Sequence, residues 1–569
     1  MGTGAPEEGE ERMTHERPWL ASYPEGIPEQ IDPDAFASIP EVLQGAIDQY
    51  RDRPAFTNMG VTLTYGDIDR LSREFAAYLL GELKLRKGDR VAIMMPNCLQ
   101  YPIATFGVLR AGLTVVNVNP MYTARELRHQ ITDACISVLL VLDNFGHTAQ
   151  KALADCEVPH VITTGLGDML GFPKGAIVNF VVRYIRKMVP DYDIQGAVRF
   201  RDTLAAGRRH AIPEVSISSG DIAFLQYTGG TTGVAKGAML THRNMVANME
   251  QASAWIGEGL KPGHETIITA LPLYHIFALT ANGLVFMKIG GHNWLITNPR
   301  DMPGFVDELR KVRFTAITGV NTLFNGLLNT PGFNEVDFSA LRVTLGGGMA
   351  VQRSVAERWK RVTGVTLVEA YGLTETSPAA CINPMDLPDY NGAIGLPIPS
   401  TDACIKDDEG KMLPVGEVGE LCIKGPQVMK GYWNRPDDTA NAIDADGWLH
   451  TGDMAKMDEK GFFYIVDRKK DMILVSGFNV YPNEVEDVIA MMPGVLEVAA
   501  VGVPDEKSGE VVKLVVVKKD ENLTADQIKA HARENLTGYK QPRVIEFRKE
   551  LPKTNVGKIL RRELRDSAS

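Results

Sequence analysis

Strand-like apolar runs alternate with amphipathic helical patterns from about Ile39 to Leu295. This alternation predicts an α/β fold, built from layers with largely parallel sheets. A chain of 569 residues is too long for one hydrophobic core, so two or more domains are expected. The strand-like runs are Val91–Met95, Leu113–Val118, Val138–Leu142 and Ile222–Leu225, and one of the helices between them is Leu71–Leu83.

The pattern changes further along the chain. A βα stretch runs from Ala316 to Leu367, and after Gly392 short strands follow with many glycines and acidic turns. The charged run Asp467–Lys470 lies between two apolar strands, and it is interpreted either as a hairpin turn or as a hinge. We expect a large N-terminal domain of two α/β layered subdomains plus a β-rich subdomain over 19–466, a hinge at 467–470, and a small mobile α+β domain over 471–569.

Composition excludes several classes of protein. The net charge is −11, whereas a general nucleic-acid binder needs a basic surface. The six cysteines form no C-x-x-C pair, so we expect a reducing cytosolic setting and no cysteine-based metal site. Residues 1–18 are polar and acidic, which predicts a disordered tail without a secretory signal. No apolar run is long enough to cross a membrane.

The segment Tyr227–Gly237, with the sequence YTGGTTGVAKG, follows a predicted buried strand. Its glycines let backbone N–H groups turn toward one point, its threonine hydroxyls add donors, and Lys236 adds a mobile positive charge. This combination is typical of a polyphosphate site, although a polar surface turn is the simpler alternative. The segment is not a Walker loop, because Ala235 precedes the lysine and Gly237 follows it.

The residues between Pro173 and Pro190 predict a basic amphipathic helix. Such a helix can lie in a membrane interface, held by apolar burial and by attraction to anionic lipid. A helix packed on the core with a solvated basic face is an equally good interpretation. The apolar face would carry Ile177, Phe180, Val181, Tyr184, Ile185 and Met188, and the polar face Asn179, Arg183, Arg186 and Lys187.

Four further motifs follow downstream, namely YGLTE at 371–375, GWLHTGD at 447–453, DRKKDM at 467–472 and PKTNVGK at 552–558. Together with the segment 227–237 they resemble the adenylate-forming superfamily of acyl-CoA synthetases, adenylation domains and firefly-type luciferases. The resemblance covers about residues 20–566, and five motifs in this order hardly arise by chance. Stretches such as LPLYHIFALT and NVGKILRREL look closest to the long-chain fatty acyl-CoA synthetases of bacterial fatty acid degradation.

The resemblance implies a two-step reaction. ATP and a long-chain fatty acid would give an acyl-adenylate and pyrophosphate, and the sulfur of coenzyme A would then displace AMP. In-line attack on an α-phosphate needs mainly positioning and charge neutralisation. The alternatives are an acyl-AMP ligase, a ligase for medium-chain or aryl carboxylates, and a carrier-loading adenylation domain. A non-catalytic nucleotide sensor or membrane-binding protein would be expected to have lost Lys558 or Glu375, and both are present.

The resemblance also implies the nucleotide contacts. The loop 228–236 would hold the β- and γ-phosphates, Glu375 and Thr228 would bind Mg²⁺, and Thr374 would contact the α-phosphate. Tyr371 would stack on adenine beside the glycines at 346–348, and Asp453 would accept both ribose hydroxyls, with Arg468 as a second ribose contact. The expected set is Tyr227, Thr228, Gly229, Gly230, Thr231, Thr232, Gly233, Lys236, Gly347, Gly348, Tyr371, Gly372, Thr374, Asp453 and Arg468.

Four residues are expected to take part in catalysis by the same resemblance: Lys558, Glu375, Thr374 and His275. Lys558 would reach the carboxylate and the α-phosphate, where a cation offsets the repulsion between two anions. It lies far past the hinge in sequence, so it reaches the site only if the small domain swings in. We expect His275 to position the carboxylate rather than to transfer a proton, because attack by a carboxylate needs no base.

A second orientation of the small domain is implied for thioester formation, with Asp467 and Lys470 at the hinge. The loop of Ser476, Gly477, Phe478 and Asn479 would then face the pantetheine channel. The acyl-channel wall would include Gly319, Val320 and Leu323. Long-chain substrates partition into membranes, so peripheral association with the inner face of the cell membrane is expected for a cytoplasmic enzyme. The family often forms homodimers, but no segment identifies an interface.

Overall fold

Two large sheets of mainly parallel strands form the N-terminal part of the protein in the computed structural model, which describes residues 17–228, 235–505, 507–554 and 557–566. In the first sheet, neighbouring strands are parallel except for the final antiparallel pair. Its spatial order is Val198–Arg199, His160–Thr164, Val138–Leu142, Arg90–Met94, Thr114–Asn117, Ile222–Thr228 and Lys236–Thr241.

The second sheet has a parallel centre and antiparallel strands at both ends. Its spatial order is Leu396–Pro397, Ala379–Ile382, Leu367–Gly372, Val343–Gly347, Ala316–Gly319, Thr266–Thr269, His292–Leu295, Pro54–Asn58 and Val61–Thr64. Because the carboxyl ends of parallel strands meet at one edge of a sheet, this order brings the ends at Gly347 and Gly372 side by side.

Two smaller sheets follow. The third is antiparallel, with the order Asp402–Lys406, Gly419–Lys424, Leu449–Met457 and Phe463–Arg468. The fourth contains Phe478–Val480, Ile473–Val475, Gly509–Lys518 and Val495–Asp505, and Val544–Arg548 pairs in parallel with Gly509–Lys518. We call the described residues from 473 onward the C-terminal module.

Helices connect the strands and cover the large sheets. The α-helices are Ile39–Tyr50, Tyr65–Gly81, Gln100–Arg110, Ala124–Ala134, Gly146–Leu153, Lys174–Phe180, Phe200–Gly207, His242–Ile256, Ile276–Ala278, Phe286–Lys288, Met302–Leu309, Asn321–Leu328, Arg353–Thr363, Pro436–Ala442, Pro482–Ala490, Ala525–Asn535 and Arg561–Asp566. Two π-helical segments, Val181–Ile185 and Leu279–Val285, continue neighbouring α-helices. Short 3₁₀ turns occur at Pro18–Ser22, Asp143–Phe145, Gly257–Gly259, Phe333–Glu335, Thr374–Thr376 and Gly538–Lys540.

Local sequence explains how these elements form. Every residue of Val138–Leu142 is buried, as expected for a parallel strand covered by helices on both faces. The helix His242–Ile256 starts directly after a strand because Thr241 accepts a hydrogen bond from the Asn244 backbone and the Asn244 side chain accepts one from the Thr241 backbone. This capping box satisfies N–H groups that a helix start leaves free.

The predicted fold class is confirmed: layered α/β sheets, a β-rich sheet and a small C-terminal domain are all present. The strand before the predicted hinge runs Phe463–Arg468, so Asp467 and Arg468 belong to that strand. Of the predicted disordered tail, residues 1–16 lie outside the described residues. Trp19 is buried in the short turn that follows. No helix among the described residues is long and apolar enough to cross a membrane.

Candidate active site

A cavity of about 1870 Å³ lies where the two large sheets, the third sheet and the C-terminal module meet. Its wall brings together most of the residues predicted from sequence. Those residues are Tyr227, Thr228, Lys236, His275, Gly347, Gly348, Tyr371, Gly372, Thr374, Glu375, Asp453, Asp467, Arg468, Lys470 and Lys558. The predicted loop residues Gly229, Gly230, Thr231, Thr232 and Gly233 lie outside the described residues.

Asp453 is a buried carboxylate that Tyr371 and Arg468 hold in the cavity wall. The Tyr371 hydroxyl donates a hydrogen bond of 2.6 Å to Asp453 Oδ2, and Arg468 Nε lies 3.4 Å from Oδ1. Burial and the Asp453 charge raise the pKa of Tyr371 well above its ordinary value, so its hydroxyl stays protonated as a donor. The carboxylate is therefore oriented in advance and can accept hydrogen bonds from a diol.

Glu375 lies in the turn Thr374–Thr376 and is half-buried. Its Oε1 accepts a hydrogen bond of 2.7 Å from the Tyr432 hydroxyl, and its backbone carbonyl accepts one of 2.8 Å from Met429 N–H. The hydrogen bond from Tyr432 therefore fixes the orientation of the Glu375 carboxylate. No group of three or more His, Cys, Asp or Glu able to hold a metal ion occurs among the described residues.

The Lys236 ammonium is paired with a carboxylate that the sequence motifs did not indicate. Lys236 Nζ forms an ion pair with Asp438, at the start of the helix Pro436–Ala442, and it lies 5.3 Å from the centre of the Tyr432 ring. Both side chains of the ion pair are one-third exposed, so the pairing is weak and an anionic ligand can compete for the lysine.

Lys558 extends from the C-terminal module into the cavity, as the prediction of a swung-in small domain requires. A Cβ added to Gly348 would lie 3.5 Å from Lys558 Cε, so the lysine stem passes over the end of the strand Val343–Gly347. Burial, and then the nearby Arg468, lower the pKa of Lys558 to about 8, while Asp453 and Glu375 act in the opposite direction. A cation held here in a desolvated site interacts strongly with an incoming anion.

His275 is the N-cap of the helical segment 276–288, and its Nδ1 accepts a weak hydrogen bond of 3.4 Å from Phe277 N–H. Burial, and then the charge of Lys558, lower the pKa of His275 to about 3. The imidazole is therefore neutral at pH 7 and lies close to Lys558. This arrangement fits a positioning side chain better than one that takes up a proton.

Gly372 closes the strand Leu367–Gly372 against the loop that follows it. A Cβ at this position would lie 1.8 Å from the backbone oxygen of Pro378. Only glycine therefore allows the strand end to reach this close to the backbone, between the Tyr371 ring and the turn that carries Thr374 and Glu375. The close approach of the backbone at Gly372 therefore helps to set the distance between Tyr371 and the turn Thr374–Thr376.

The residues predicted for the acyl channel and for the coenzyme A loop do not line this cavity. Gly319, Val320 and Leu323 are buried and do not line the cavity, although their neighbours Thr318 and Asn321 do. A Cβ on Gly319 would meet the Phe324 ring at 2.7 Å. The apolar part of the wall comes instead from two neighbouring helices and the second sheet, chiefly Ala252, Ile256, Ala281, Val285, Phe286 and Leu345.

The predicted coenzyme A loop lies at the hairpin turn between Ile473–Val475 and Phe478–Val480, outside the cavity wall described here. Ser476 and Gly477 both have positive φ angles, and the Phe478 ring stacks on Tyr539 with ring centres 4.8 Å apart. Phe478 is exposed, as is Asn479. The loop is thus free to face another part of the molecule if the C-terminal module turns.

Sequence reasoning missed Tyr432 and Asp438. Both belong to the run GYWNRPDD at 431–438, in a loop and at the start of a short helix. The only signal was an aromatic and acidic cluster after a glycine, and that pattern has no spacing specific to phosphate or metal binding.

Comparison with known proteins agrees with this geometry. A family model described as AMP-binding enzyme matches residues 43–433, and one described as AMP-binding enzyme C-terminal domain matches residues 484–558. Among solved structures, a fatty acyl CoA synthetase of Mycobacterium tuberculosis has a TM-score of 0.68 and 27% identity, covering 94% of this chain and 98% of that chain. A benzoate CoA ligase from Burkholderia xenovorans has a TM-score of 0.80 and 25% identity, covering 93% of this chain and 100% of that chain.

Curated relatives are more similar and extend over nearly the whole chain. The chain is 58% identical over 550 residues to a long-chain-fatty-acid–CoA ligase of Escherichia coli O6:H1, covering 97% of this chain and 98% of the relative. It is 41% identical over 559 residues to a protein of the same name from Bacillus subtilis, with the same coverage of 97% and 98%. The chain therefore belongs to the AMP-binding enzyme family, together with the long-chain-fatty-acid–CoA ligases.

Proposed function

We propose that this protein activates long-chain fatty acids to acyl-CoA in an ATP-dependent reaction that passes through an acyl-adenylate and releases AMP and pyrophosphate. One observation supports this most directly: Lys558, Asp453 and Glu375 line the same cavity, and that cavity has an extensive apolar wall. A nucleotide and a long apolar carboxylate can therefore share one site. The full-length relatives named long-chain-fatty-acid–CoA ligase support the same substrate class.

In the first step a carboxylate oxygen of the fatty acid attacks the α-phosphorus of ATP, and the bond to the bridging oxygen of pyrophosphate breaks. Asp453 holds the ribose, and the Tyr371 ring flanks the base. Lys558 brings a positive charge between two anions that repel each other, which lowers the barrier by electrostatic stabilisation. Lys236 leaves Asp438 to bind the departing pyrophosphate, and neutral His275 orients the carboxylate.

In the second step the thiol of coenzyme A gives up its proton to water, and the thiolate sulfur attacks the acyl carbon. The bond from that carbon to the AMP oxygen breaks, and AMP leaves with the electron pair. Lys558 must withdraw to admit the pantetheine arm, so the C-terminal module has to turn at the segment 467–470. The exposed loop around Gly477 would then line the entry of coenzyme A.

Mg²⁺ fits the oxygen donors present in the cavity. Mg²⁺ in nucleotide enzymes is usually held by one or two carboxylates, together with phosphate oxygens and water. Glu375 would hold the ion through its carboxylate and Thr228 would contribute a hydroxyl, both on the cavity wall. When bound, the ion would neutralise charge on the phosphate oxygens.

Chain-length preference should follow from the apolar wall. Each buried methylene contributes about 0.8 kcal/mol, so every added pair of methylenes would improve binding by roughly tenfold until the wall ends. The test is pyrophosphate release with carboxylates of graded chain length, measured with and without coenzyme A, with acyl-AMP and acyl-CoA quantified as products. Lys558→Ala is included as the variant expected to lose adenylation. We expect acyl-CoA as the product and a maximum at long chains.

Three other outcomes of that assay would contradict the proposal. Accumulation of acyl-AMP despite added coenzyme A would identify an acyl-AMP ligase. Highest activity with medium-chain or aryl acids would show that the substrate class is not long-chain fatty acids. Unchanged acyl-adenylate formation by Lys558→Ala would remove the role assigned to that lysine.

We also propose that the enzyme works in the cytoplasm, attached peripherally to the inner face of the cell membrane. The helical segment 174–185 and the residues beside it support this, because most of their large apolar side chains are exposed. Phe172 is 92% exposed, Tyr184 63% and Ile185 61%, and Ile177, Phe180 and Met188 are also exposed. An exposed apolar patch of this kind marks an interaction surface.

The attachment of this segment explains the exposure. Asn179 turns inward, where its side chain accepts a hydrogen bond of 2.7 Å from Gly167 N–H and donates one of 2.8 Å to Asp168. Gly175 and Gly167 meet so closely that a Cβ on either would lie 2.3 Å from the other's carbonyl oxygen. Val178 also packs against the hydrophobic core, and Lys174 Nζ donates a hydrogen bond to the Met59 carbonyl oxygen. These contacts fix the segment and leave its exposed apolar side chains for a partner.

Charge beside the patch favours an anionic bilayer over a neutral partner. Arg186 and Lys187 are exposed next to the apolar side chains, and each basic group near an anionic membrane contributes about 1 kcal/mol. Sedimentation with vesicles of phosphatidylglycerol and phosphatidylcholine tests this. Replacement of Phe172, Phe180 and Ile185 by serine should weaken binding at least tenfold, because burial of each side chain contributes about 1.5–3 kcal/mol.

The matched control replaces Val415, Val418 and Met491 by serine, since these are exposed apolar residues elsewhere on the surface. Vesicle binding equal to that of the parent in the Phe172, Phe180 and Ile185 variant would refute this surface. Activity on a short soluble carboxylate monitors folding in both variants. We also predict that the acyl-CoA product enters fatty acid degradation (β-oxidation). A homodimer is a further prediction, and sedimentation equilibrium measures it.

A further inference from the structure

Arg561 joins the catalytic end of the chain to the hinge. It follows Lys558 by three positions and begins the helix Arg561–Asp566. Its side chain is 17% exposed and makes contacts with four polar residues from two parts of the molecule. The proposed mechanism uses Lys558 but gives no role to this arginine.

Two of the contacts lie within the C-terminal module. Arg561 Nε and Nη2 donate to the Glu486 carboxylate at 3.1 and 2.8 Å, and Nη2 also donates to Asn483 Oδ1 at 2.6 Å. Glu486 is in turn fixed by a hydrogen bond of 2.8 Å from Ala500 N–H. The guanidinium therefore ties the segment that carries Lys558 to the helix Pro482–Ala490, in a planar two-point geometry that suits arginine.

The remaining contacts reach the hinge. Arg561 Nη1 lies 3.7 Å from Asp467 Oδ1 and 3.7 Å from Asp471 Oδ2. The Asp467 side chain is fully buried, and its Oδ2 also accepts a hydrogen bond of 2.9 Å from Asn483 N–H. Asp467 pairs with Met454 in the third sheet, so its backbone is part of the large N-terminal body. The contacts of Asp467 with Arg561 and Asn483 therefore cross the hinge.

We propose that Arg561 is a positioning residue: its contact with Asp467 locks the C-terminal module onto the third sheet in the arrangement that brings Lys558 into the cavity. The contact stabilises this arrangement alone, because a turn of the chain beyond the strand Phe463–Arg468 separates Asp467 from the module, while Glu486 and Asn483 move with Arg561. Loss of the contact shifts the population away from the arrangement that forms the acyl-adenylate. This inference rests on the two-step function proposed above.

The test separates the two steps. Adenylation is measured as ATP–pyrophosphate exchange with a long-chain fatty acid, and thioester formation as single-turnover conversion of synthetic acyl-adenylate and coenzyme A. Arg561→Ala and Arg561→Lys should lower exchange at least tenfold and change thioester formation less than twofold. Lysine is not expected to rescue, because one ammonium cannot contact Glu486, Asn483 and Asp467 together.

Asp467→Asn gives a second, nearly isosteric test of the same contact and should lower exchange selectively as well. The double variant Arg561→Ala with Asp467→Asn should lose little more than Arg561→Ala, since both changes break one contact. Arg533→Ala removes an exposed arginine of the C-terminal module and is the matched control. Exchange within twofold of the parent in Arg561→Ala, or an equal fall in both steps in all the Arg561 and Asp467 variants, would overturn the proposal.

These outcomes are distinguishable from a failure of the proposed function. That function fails if the parent enzyme forms no acyl-CoA from ATP, fatty acid and coenzyme A. The role of Arg561 fails only if the parent is active and its variants do not separate the two steps.

Discussion

Tyr371 orients Asp453 through its hydroxyl, in addition to the role proposed for its ring beside the base. Tyr371→Phe keeps the ring and removes the donor of the 2.6 Å hydrogen bond to Asp453. A hydrogen bond to a charged group contributes about 1.5–3 kcal/mol, so we expect the KM for ATP to rise by about tenfold or more, with a smaller effect on kcat. Steady-state kinetics with varied ATP measure this.

Tyr464→Phe is the matched control, because the Tyr464 hydroxyl donates to Asp458 at 3.1 Å in the same sheet and away from the cavity. A KM for ATP that stays at the parent value in Tyr371→Phe would contradict the assigned orientation of Asp453.

The protonation of Lys558 predicts a pH dependence. Its pKa of about 8 means that the cation is present below that pH and is lost as the pH rises through it. We expect kcat/KM for adenylation, which reports the free enzyme, to fall tenfold per pH unit above an apparent pKa near 8. Lys558→Arg should move this limb to higher pH, because a guanidinium stays charged.

Lys470 could give a similar limb, since burial lowers its pKa to about 8 as well. Lys470→Arg therefore has to leave the alkaline limb of adenylation unchanged. A limb that moves with Lys470→Arg and not with Lys558→Arg would assign it to the hinge lysine instead.

The side chains that sequence could predict are those in motifs with fixed spacing. Asp453, Glu375 and Lys558 were predicted because their motifs resemble those of the family, and the structure brings all three to one cavity. Tyr432 could not be found, because its hydrogen bond to Glu375 spans 57 positions and leaves no local pattern. The pairing of Lys236 with Asp438 spans 202 positions and was missed for the same reason.

At the scale of elements, the helix His242–Ile256 contributes one side of the apolar wall through Ala252. Ala252→Phe would fill part of the space for the acyl chain. We expect kcat/KM for a sixteen-carbon acid to fall at least tenfold, and that for an eight-carbon acid to change less, because a longer chain needs more of the apolar space. The measurement is the chain-length profile of acyl-CoA formation.

Ala254→Phe is the matched control on the same helix, since Ala254 is partly exposed and lies outside the wall. An equal loss for both acids in Ala252→Phe would argue against an acyl chain at this wall.

Periodicity predicted the elements better than it predicted their orientation. The strand predicted at Val138–Leu142 has those same bounds in the structure, because its apolar run is buried on both faces. The basic helix was also predicted, but Asn179 was expected on a solvated face and instead turns inward. A pattern of apolar and polar residues does not reveal which side meets the protein when glycines provide the contact.

At the scale of the whole molecule, two hydrogen bonds join the C-terminal module to the helix Asn321–Leu328. Thr322 Oγ1 donates to Gly557 O at 3.0 Å, and Asn325 Nδ2 donates to Leu496 O at 2.9 Å. The double variant Thr322→Ala with Asn325→Ala should lower adenylation about tenfold, because each bond contributes about 0.5–1.5 kcal/mol to the closed arrangement. Thioester formation from acyl-adenylate should stay within twofold.

Thr330→Ala is the matched control, because the Thr330 hydroxyl donates to Gly326 O at 2.8 Å, just past the end of the same helix. Parent-like exchange in the double variant would show that these bonds do not hold the module closed. The orientation of the module was beyond sequence reasoning, since it depends on contacts such as Asn325 to Leu496, which join residues 171 positions apart.

Because few residues attach the segment 174–185 to the protein, its exposed side chains can be changed without affecting the fold. Its attachment involves Gly167, Gly175, Val178 and Asn179, while the outward apolar side chains are exposed. Substitutions of those side chains should therefore leave the packing of the catalytic body unchanged. By the same reasoning, a version with a hydrophilic outer face should be a more soluble enzyme that keeps its chemistry.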